Sequence, residues 1–270
     1  MHKKIRLNAA ATAGLLIILF FLIIAVFAPV IAPYNPKEMI ASYLPPSKEH
    51  ILGTNDVGQD IFSEMVYGTR VSLYIGIFAA FIVTGVGTVL ALVSGYFGGV
   101  ADKIITAITN IAMAVPSLPL TVLLIAYLNP GKWSLIIAIS ITAWTGTARI
   151  LRARVMQLKE LPFIKIEKTM GVHPAVILFK HILPNIKDII LTRGAMAISG
   201  AMMTEAGLSF LGLGEFGEKS WGSVLHYAFF RNSIMKKQYW WYVPPIVCIC
   251  VCVLGFMLIG YYGKIKKGGE

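Results

Sequence analysis

Six apolar runs of bilayer-crossing length are strung along this chain of 270 residues, and a polar, basic island between Arg149 and Asn185 separates the fourth from the fifth. A helix needs about 20 residues to cross roughly 30 Å of hydrocarbon at 1.5 Å per residue. The runs predict spans at about Ala9 to Ala32, Val71 to Phe97, Lys103 to Leu128, Trp133 to Leu151, Ile186 to Leu208 and Trp240 to Tyr262. Composition agrees: 57% of residues are hydrophobic and only 14% charged, against about 25% charged in soluble domains. The chain reads as an all-α, polytopic membrane protein with six transmembrane helices.

The net charge of +11 does not require nucleic acid, because the basic residues cluster at the ends of the apolar runs rather than on a soluble module. The proposed inner segments carry 15 Lys/Arg and 5 acids; the outer ones carry 8 and 8. The positive-inside rule then places both termini in the cytoplasm of a cell or inner membrane. The first run, behind the basic start His2-Lys3-Lys4-Ile5-Arg6, is longer than a signal-peptide core and reads as an uncleaved signal-anchor helix, residues 1–32. An extracellular loop follows at 33–70, then a core at 71–262 and a cytoplasmic tail at 263–270. Trp221, Trp240 and Trp241 fall where interfacial aromatic anchors are expected.

The runs are richer in small residues and breaks than lipid anchors need. Gly76, Gly85, Gly87 and Gly95 mark the second run, Gly194, Ala197 and Gly200 the fifth, and Pro116 and Pro119 break the third. Cys248, Cys250 and Cys252 share one apolar run and read as buried small hydrophobes. There is no P-loop motif, since Gly131-Lys132 lacks its upstream Gly and the following Ser/Thr. No metal-ligand spacing and no catalytic triad is legible, so no catalytic residue, metal or cofactor is assigned to this chain.

Within the basic island, Pro162 suits a first helical turn, and Phe163, Ile166 and Met170 share a face at i, i+3 and i+7. Lys165, Lys168 and Thr169 fall on the other side, and Gly171 suits the helix stop. Leu183-Pro184 then leads into the fifth run. A short amphipathic helix is therefore tied at both ends to membrane spans. From the residues alone it either receives a partner or lies on the membrane surface.

Gly171 followed at plus 12 and plus 13 by Leu183-Pro184 resembles the E-A-A-x-x-x-G…L-P loop of ABC importer permeases, with Lys165-Ile166-Glu167 at the E-A-A positions and His181 for the usual Ile. The stretch His50-Ile51-Leu52-Gly53-Thr54-Asn55-Asp56-Val57-Gly58-Gln59-Asp60, then Ser63, Tyr67-Gly68, Arg70 and Ser72-Leu73, resembles the H-x-L-G-T-D-x-x-G-R-D…S…Y-G-x-R-x-S-L pattern of the dipeptide/oligopeptide/nickel permeases. Asn55 stands there for Asp and Gln59 for Arg. Glu205-Ala206-Gly207-Leu208-Ser209-Phe210-Leu211-Gly212-Leu213-Gly214, with Trp221-Gly222 and Leu225, matches that family's E-A-x-L-S-F-L-G-L-G…W-G-x-x-L. Trp144, Ala148-Arg149 and Arg152 fit its W…A-R-x-x-R.

The resemblance implies a type I ABC importer permease fold with the first span outside a five-span core, a coupling helix at about 160–182 and an extracellular scoop at about 208–239. It implies a second homologous permease, two ATP-binding subunits that carry ATP and Mg, an extracellular substrate-binding lipoprotein and membrane lipid as partners, and no nucleic acid. Phe163, Lys165, Ile166, Glu167, Thr169, Met170, Gly171 and Val172 are the expected ATPase contacts. Arg193, at membrane depth, and Glu205, Ser209, Phe210 and Trp221 are the expected pathway or binding-protein contacts. Short peptides are the leading cargo, nickel or a metal chelate the runner-up, and a stand-alone secondary transporter the reading from another class.

Overall fold

The computed structural model describes residues 8–215 and 217–263. The basic start His2–Arg6 and the lysines of the expected tail lie outside the described residues. α1 (Ala9–Val26) is capped by Asn8. A one-turn α2 (Ala28–Ile31) follows it, so the expected first span is two helices. The cause is Pro29, which has no N–H for the carbonyl of Ala25 four residues back. Arg70 supplies the missing donors: its Nε reaches Ala25 O and its Nη2 donates to Val26 O at 2.9 Å.

α3 (Ile61–Phe97) begins ten residues before the expected span. Its 37 residues extend about 55 Å, well beyond the hydrocarbon layer. The start is set by Asp60, whose Oδ2 accepts from Ser63 N at 2.8 Å and Ser63 Oγ at 2.7 Å. His50 Nδ1 lies 2.9 Å from its other oxygen. Part of the expected 33–70 loop is therefore the top of a helix, and its His, Asp and Ser build the cap.

α4 (Gly99–Ala114) and α5 (Ser117–Leu128) meet at a 90° bend at Val115-Pro116, as the two prolines predict. Counted as one broken span, the pair gives six spans; without it there are five. α6 (Lys132–Lys159) runs past the expected end at Leu151. The short α7 (Pro162–Thr169) follows. α8 (Pro174–Val176) continues through a π-helical turn, Ile177–Ile182, into α9 (Leu183–Leu208). A second π-helical turn, Ser209–Leu213, leads to α10 (Trp221–Phe230), and α11 (Tyr239–Tyr262) carries Pro244 and Pro245 inside it. Among the described residues there is no strand, only one isolated bridge between Thr54 and Asp60.

α3 is the central rod, flanked by α6 and α9. α11 packs on α9, and α1 packs on α11 at the periphery. A Cβ at Gly87 would sit 2.9 Å from Thr147 Cβ, and one at Gly95 would sit 2.8 Å from Val155 Cβ, so α3 and α6 meet almost backbone to backbone. One apolar cluster joins Phe21, Met65, Met202, Trp221, Trp241 and Phe256. Trp221 and Trp241 are fully buried in it rather than anchored in lipid, which corrects the interfacial expectation. Trp221 Nε1 donates to Met65 O at 3.1 Å and its ring meets Phe21 edge-on, so its polar atom is satisfied inside the protein. A second cluster at the basic end holds Tyr96, Val155, Leu158, Ile164, Ile177 and Ile186.

Replacing Gly95 with Leu forces a side chain into Val155 and is expected to cost about 1–3 kcal/mol. Gly85→Ala, with nothing within 4 Å of its Cβ, is expected to be neutral. Thermal unfolding of the purified, detergent-solubilised protein distinguishes the two.

Candidate functional site

The basic end is built around α7. Pro162 lies in its first turn, where a missing N–H costs nothing. The helix ends at Gly171, whose φ of +77° is open to glycine. Gly171 N donates to Lys168 O at 3.2 Å and Val172 N to Glu167 O at 3.1 Å, which spends the last carbonyls. Ile164 is the one buried residue of α7, and its neighbours in the cluster come from α3, α6, the π-helical turn and α9. The short helix is thus seated on α6 and on the π-helical turn that leads into α9.

The opposite face is open. Phe163, Ile166 and Met170 are 44%, 58% and 76% exposed, in the predicted i, i+3, i+7 row. Exposed apolar rows of this kind mark contact surfaces. Not every residue expected on that face is there. Glu167 turns back into the protein, its Oε1 2.9 Å from His181 Nε2, and the Phe163 ring meets His181 at 6.1 Å. Thr169 Oγ1 is spent on Lys165 O at 2.9 Å. Lys165 pairs with Glu160 at 2.8 Å, and its ammonium holds the Glu160 carboxyl below the ordinary carboxylate range. The Glu167–His181 contact accounts for two departures from the resembled motif together: each residue is the other's partner.

Sequence reasoning missed the grip on α4. Arg152 donates to both oxygens of Asp102, Nε at 2.6 Å and Nη2 at 2.7 Å, while Thr106 Oγ1 adds a bond at 3.2 Å. Arg149 Nη2 donates to Asn110 Oδ1 at 2.9 Å. A planar guanidinium meeting a carboxylate on two parallel bonds is the strongest common ion-pair geometry. The signal was present: Asp102, Thr106 and Asn110 repeat every four residues and line one face of α4. That helix buries little else, with Thr109 its one fully buried residue.

The far end is a lock. Glu205 is fully buried. Its Oε1 accepts from Ser209 Oγ at 2.7 Å and its Oε2 from Ser72 Oγ at 3.3 Å, while Ser72 Oγ also accepts from Trp221 N at 3.2 Å. One carboxyl therefore ties α3, α9 and α10 together. Glu205, Ser209 and Trp221, expected as pathway or binding-protein contacts, are buried in this chain and bonded or packed within it. Phe210 is part-exposed against Phe229, its carbonyl held by His226 Nδ1 at 2.7 Å. Arg193 is apart from both ends. It is half-buried, with Nη2 3.5 Å from where a Gly146 Cβ would be and Nη1 3.9 Å from Met196 Sδ.

The family model for the binding-protein-dependent transport system inner membrane component matches residues 87–263. The model for the N-terminal TM domain of oligopeptide transport permease C matches residues 1–46. The oligopeptide transport system permease protein OppC of Bacillus subtilis is 36% identical over 95% of this chain and 84% of that protein. The dipeptide transport system permease protein DppC of Alkalihalophilus pseudofirmus is 37% identical over 96% and 85%. The glutathione transport system permease protein GsiD of Pectobacterium atrosepticum is 34% identical over 96% and 86%. A chain of the MetNI methionine ABC transporter, solved in inward-facing conformations, shares the fold with a TM-score of 0.60 at 18% identity, over 74% of this chain and 94% of that one. It carries the type I importer architecture that the resemblance implied. The chain belongs to the family of binding-protein-dependent transport system inner membrane components, the multi-pass permease subunits of ABC importers.

Proposed function

We propose that this permease forms half of the pathway by which short peptides enter the cell, and that α7 is the lever through which separate ATPase subunits drive it. The observation that carries the mechanical part is the double face of α7: Ile164 buried on the side that packs on α6 and the π-helical turn, Phe163, Ile166 and Met170 open on the other side. Family membership supports ATPase and permease partners. In this reading the assembly has a second homologous permease, two ATP-hydrolysing subunits and an extracellular substrate-binding lipoprotein. The excess of Lys/Arg around α7 supports a cytoplasmic position for that end and for both termini. This chain contributes no catalytic residue; ATP and Mg act on the partner subunits.

Closure of the ATPase pair pushes on the open row of α7. The push passes through Ile164 to the ends of α6 and α9. The Arg152–Asp102 pair hands the motion of α6 to α4, and the bend at Pro116 lets α4 swing relative to α5. The bundle then alternates between openings on the two sides. Peptide cargo is supported by what the relatives are named for; no observation here favours nickel or a chelate.

Deleting this chain should abolish uptake of a radiolabelled tripeptide, and reintroducing it should restore uptake; unchanged uptake contradicts the reading. Gly171→Pro removes a donor and forbids the observed φ, so uptake should fall about tenfold or more while ATP hydrolysis by the purified assembly persists. Asp102→Arg should sever α4 from α6 at a cost of about 1–3 kcal/mol. It should lower the peptide transported per ATP, and Arg152→Asp in the same chain should restore that ratio. A ratio that no single or double substitution moves would remove α4 from the drive train.

A further inference from the structure

A cavity of about 930 Å³ opens at the far end of α3, between α2, the stretch after it, Glu215, the segment from Gly217 to Lys219 and Tyr227 of α10. That volume lies in the range of small-molecule sites, roughly 300–1,000 Å³. Glu64 lines it with a side chain only 1% exposed. Glu64 Oε1 is heavily used, taking the Lys219 ammonium and Asn55 Nδ2 at 2.9 Å. Glu64 Oε2 is buried and has no hydrogen-bond partner among the described residues. Such an oxygen costs free energy until a donor meets it.

The surrounding polar groups are held in place. Lys219 Nζ also donates to Gln59 Oε1 at 2.7 Å and sits 4.6 Å over the Tyr227 ring. Asn55 Nδ2 donates to Gln59 Oε1 at 3.0 Å. Asn55 and Gln59 are the two positions at which the outer loop departs from the resembled pattern. Here both are neutral, and the charge pair is Glu64–Lys219. A second charged wall is Arg70, pinned by the carbonyls of Ala25 and Val26 and without a carboxylate in ion-pair range among the described residues; Lys37 and the Lys132-paired Glu215 and Glu218 complete the charged lining.

Depth and shape give the occupant. Arg70 holds the end of α1, whose 18 residues span about 27 Å, close to the hydrocarbon thickness. The cavity therefore begins where hydrocarbon gives way to headgroups. Below it α3 presents Phe78, Phe81 and Val89 at helical spacing, 42%, 78% and 60% exposed, with the Phe78 ring edge-on to Trp133. A zwitterionic pocket above an apolar stripe matches an amphiphile. The α1–α2 corner that walls the cavity lies at the bundle periphery, where lipid arrives.

We propose that this cavity binds a phospholipid whose headgroup joins a phosphate to a primary ammonium, the phosphate at Arg70 and an ammonium N–H on Glu64 Oε2. Selectivity follows from the chemistry, because a quaternary ammonium has no N–H to give. The site belongs to the outer leaflet in the orientation proposed above, and it is independent of cargo.

The test uses the assembled complex with the full chain in nanodiscs of equal dioleoyl phosphatidylethanolamine and phosphatidylcholine, released and weighed by native mass spectrometry without peptide or nucleotide. Phosphatidylethanolamine should be retained about tenfold over phosphatidylcholine, the effect of one charge-assisted hydrogen bond. Stepwise N-methylation of the lipid should erase the preference with the protein unchanged, so misfolding cannot imitate the result. Glu64→Gln should erase it too. Equal retention of the two lipids, a preference surviving in Glu64→Gln, or displacement of the lipid by a tripeptide with a free amino terminus would overturn the proposal. The last outcome would give the cavity to cargo. Because the assay reads no transport, its failure leaves the uptake experiments standing, and theirs leaves it standing.

Discussion

The burial of Ile164 is the contact on which the mechanical account rests. One isoleucine buried in the cluster that also holds Val155, Leu158, Ile177 and Ile186 contributes about 1.5–3 kcal/mol of apolar burial. Eight residues of helix do not hold their own shape in water. On that seat, with Pro162 at one end and Gly171 at the other, α7 becomes a rigid pad whose outer row can bear load. The Glu167–His181 contact at 2.9 Å adds a polar tie on the flank. Without the seat the same row would be a loose amphipathic segment on a membrane surface, which is the alternative that the residues alone left open.

The rest of the molecule follows from a bilayer's intolerance of unpaired backbone groups. Where a helix breaks, something nearby supplies the missing bond. Pro29 frees a carbonyl at the end of α1, and Arg70 of α3 takes it. α10 begins with unpaired backbone donors, and Ser72 of α3, itself bonded to the Glu205 carboxyl, accepts from Trp221 N. These repairs tie separate helices together, so the irregular places are also the joints. The exception in the drive train is the bend at Val115-Pro116, where α4 is held to α6 by charged and polar side chains rather than by close packing.

The number and order of spans were legible because about 20 apolar residues admit few other readings. The α7 row was legible from its 3.6-residue period. The start of α3 was not, because Ile61 to Arg70 is too polar to read as a span; the signal lay in Asp60 with Ser63 three residues on, a capping pair. Burial of Trp221 and Trp241 was hidden because tryptophan serves equally well at an interface and in a core, and composition does not choose. Glu205 read as a pathway or binding-protein contact, because its serine partners Ser209 and Ser72 lie 4 and 133 residues away and only the fold brings the second one in. Asp102 was written into the sequence as a polar stripe on α4, and pairing it with Arg152 needed the distance between two helices.

The most direct measurement places a photo-crosslinking amino acid at Met170, on the open row of α7, in cells making the whole assembly. The account requires an adduct with a P-loop ATPase subunit whose yield changes when ATP is trapped. Adducts to lipid alone, or a yield indifferent to nucleotide, would contradict it.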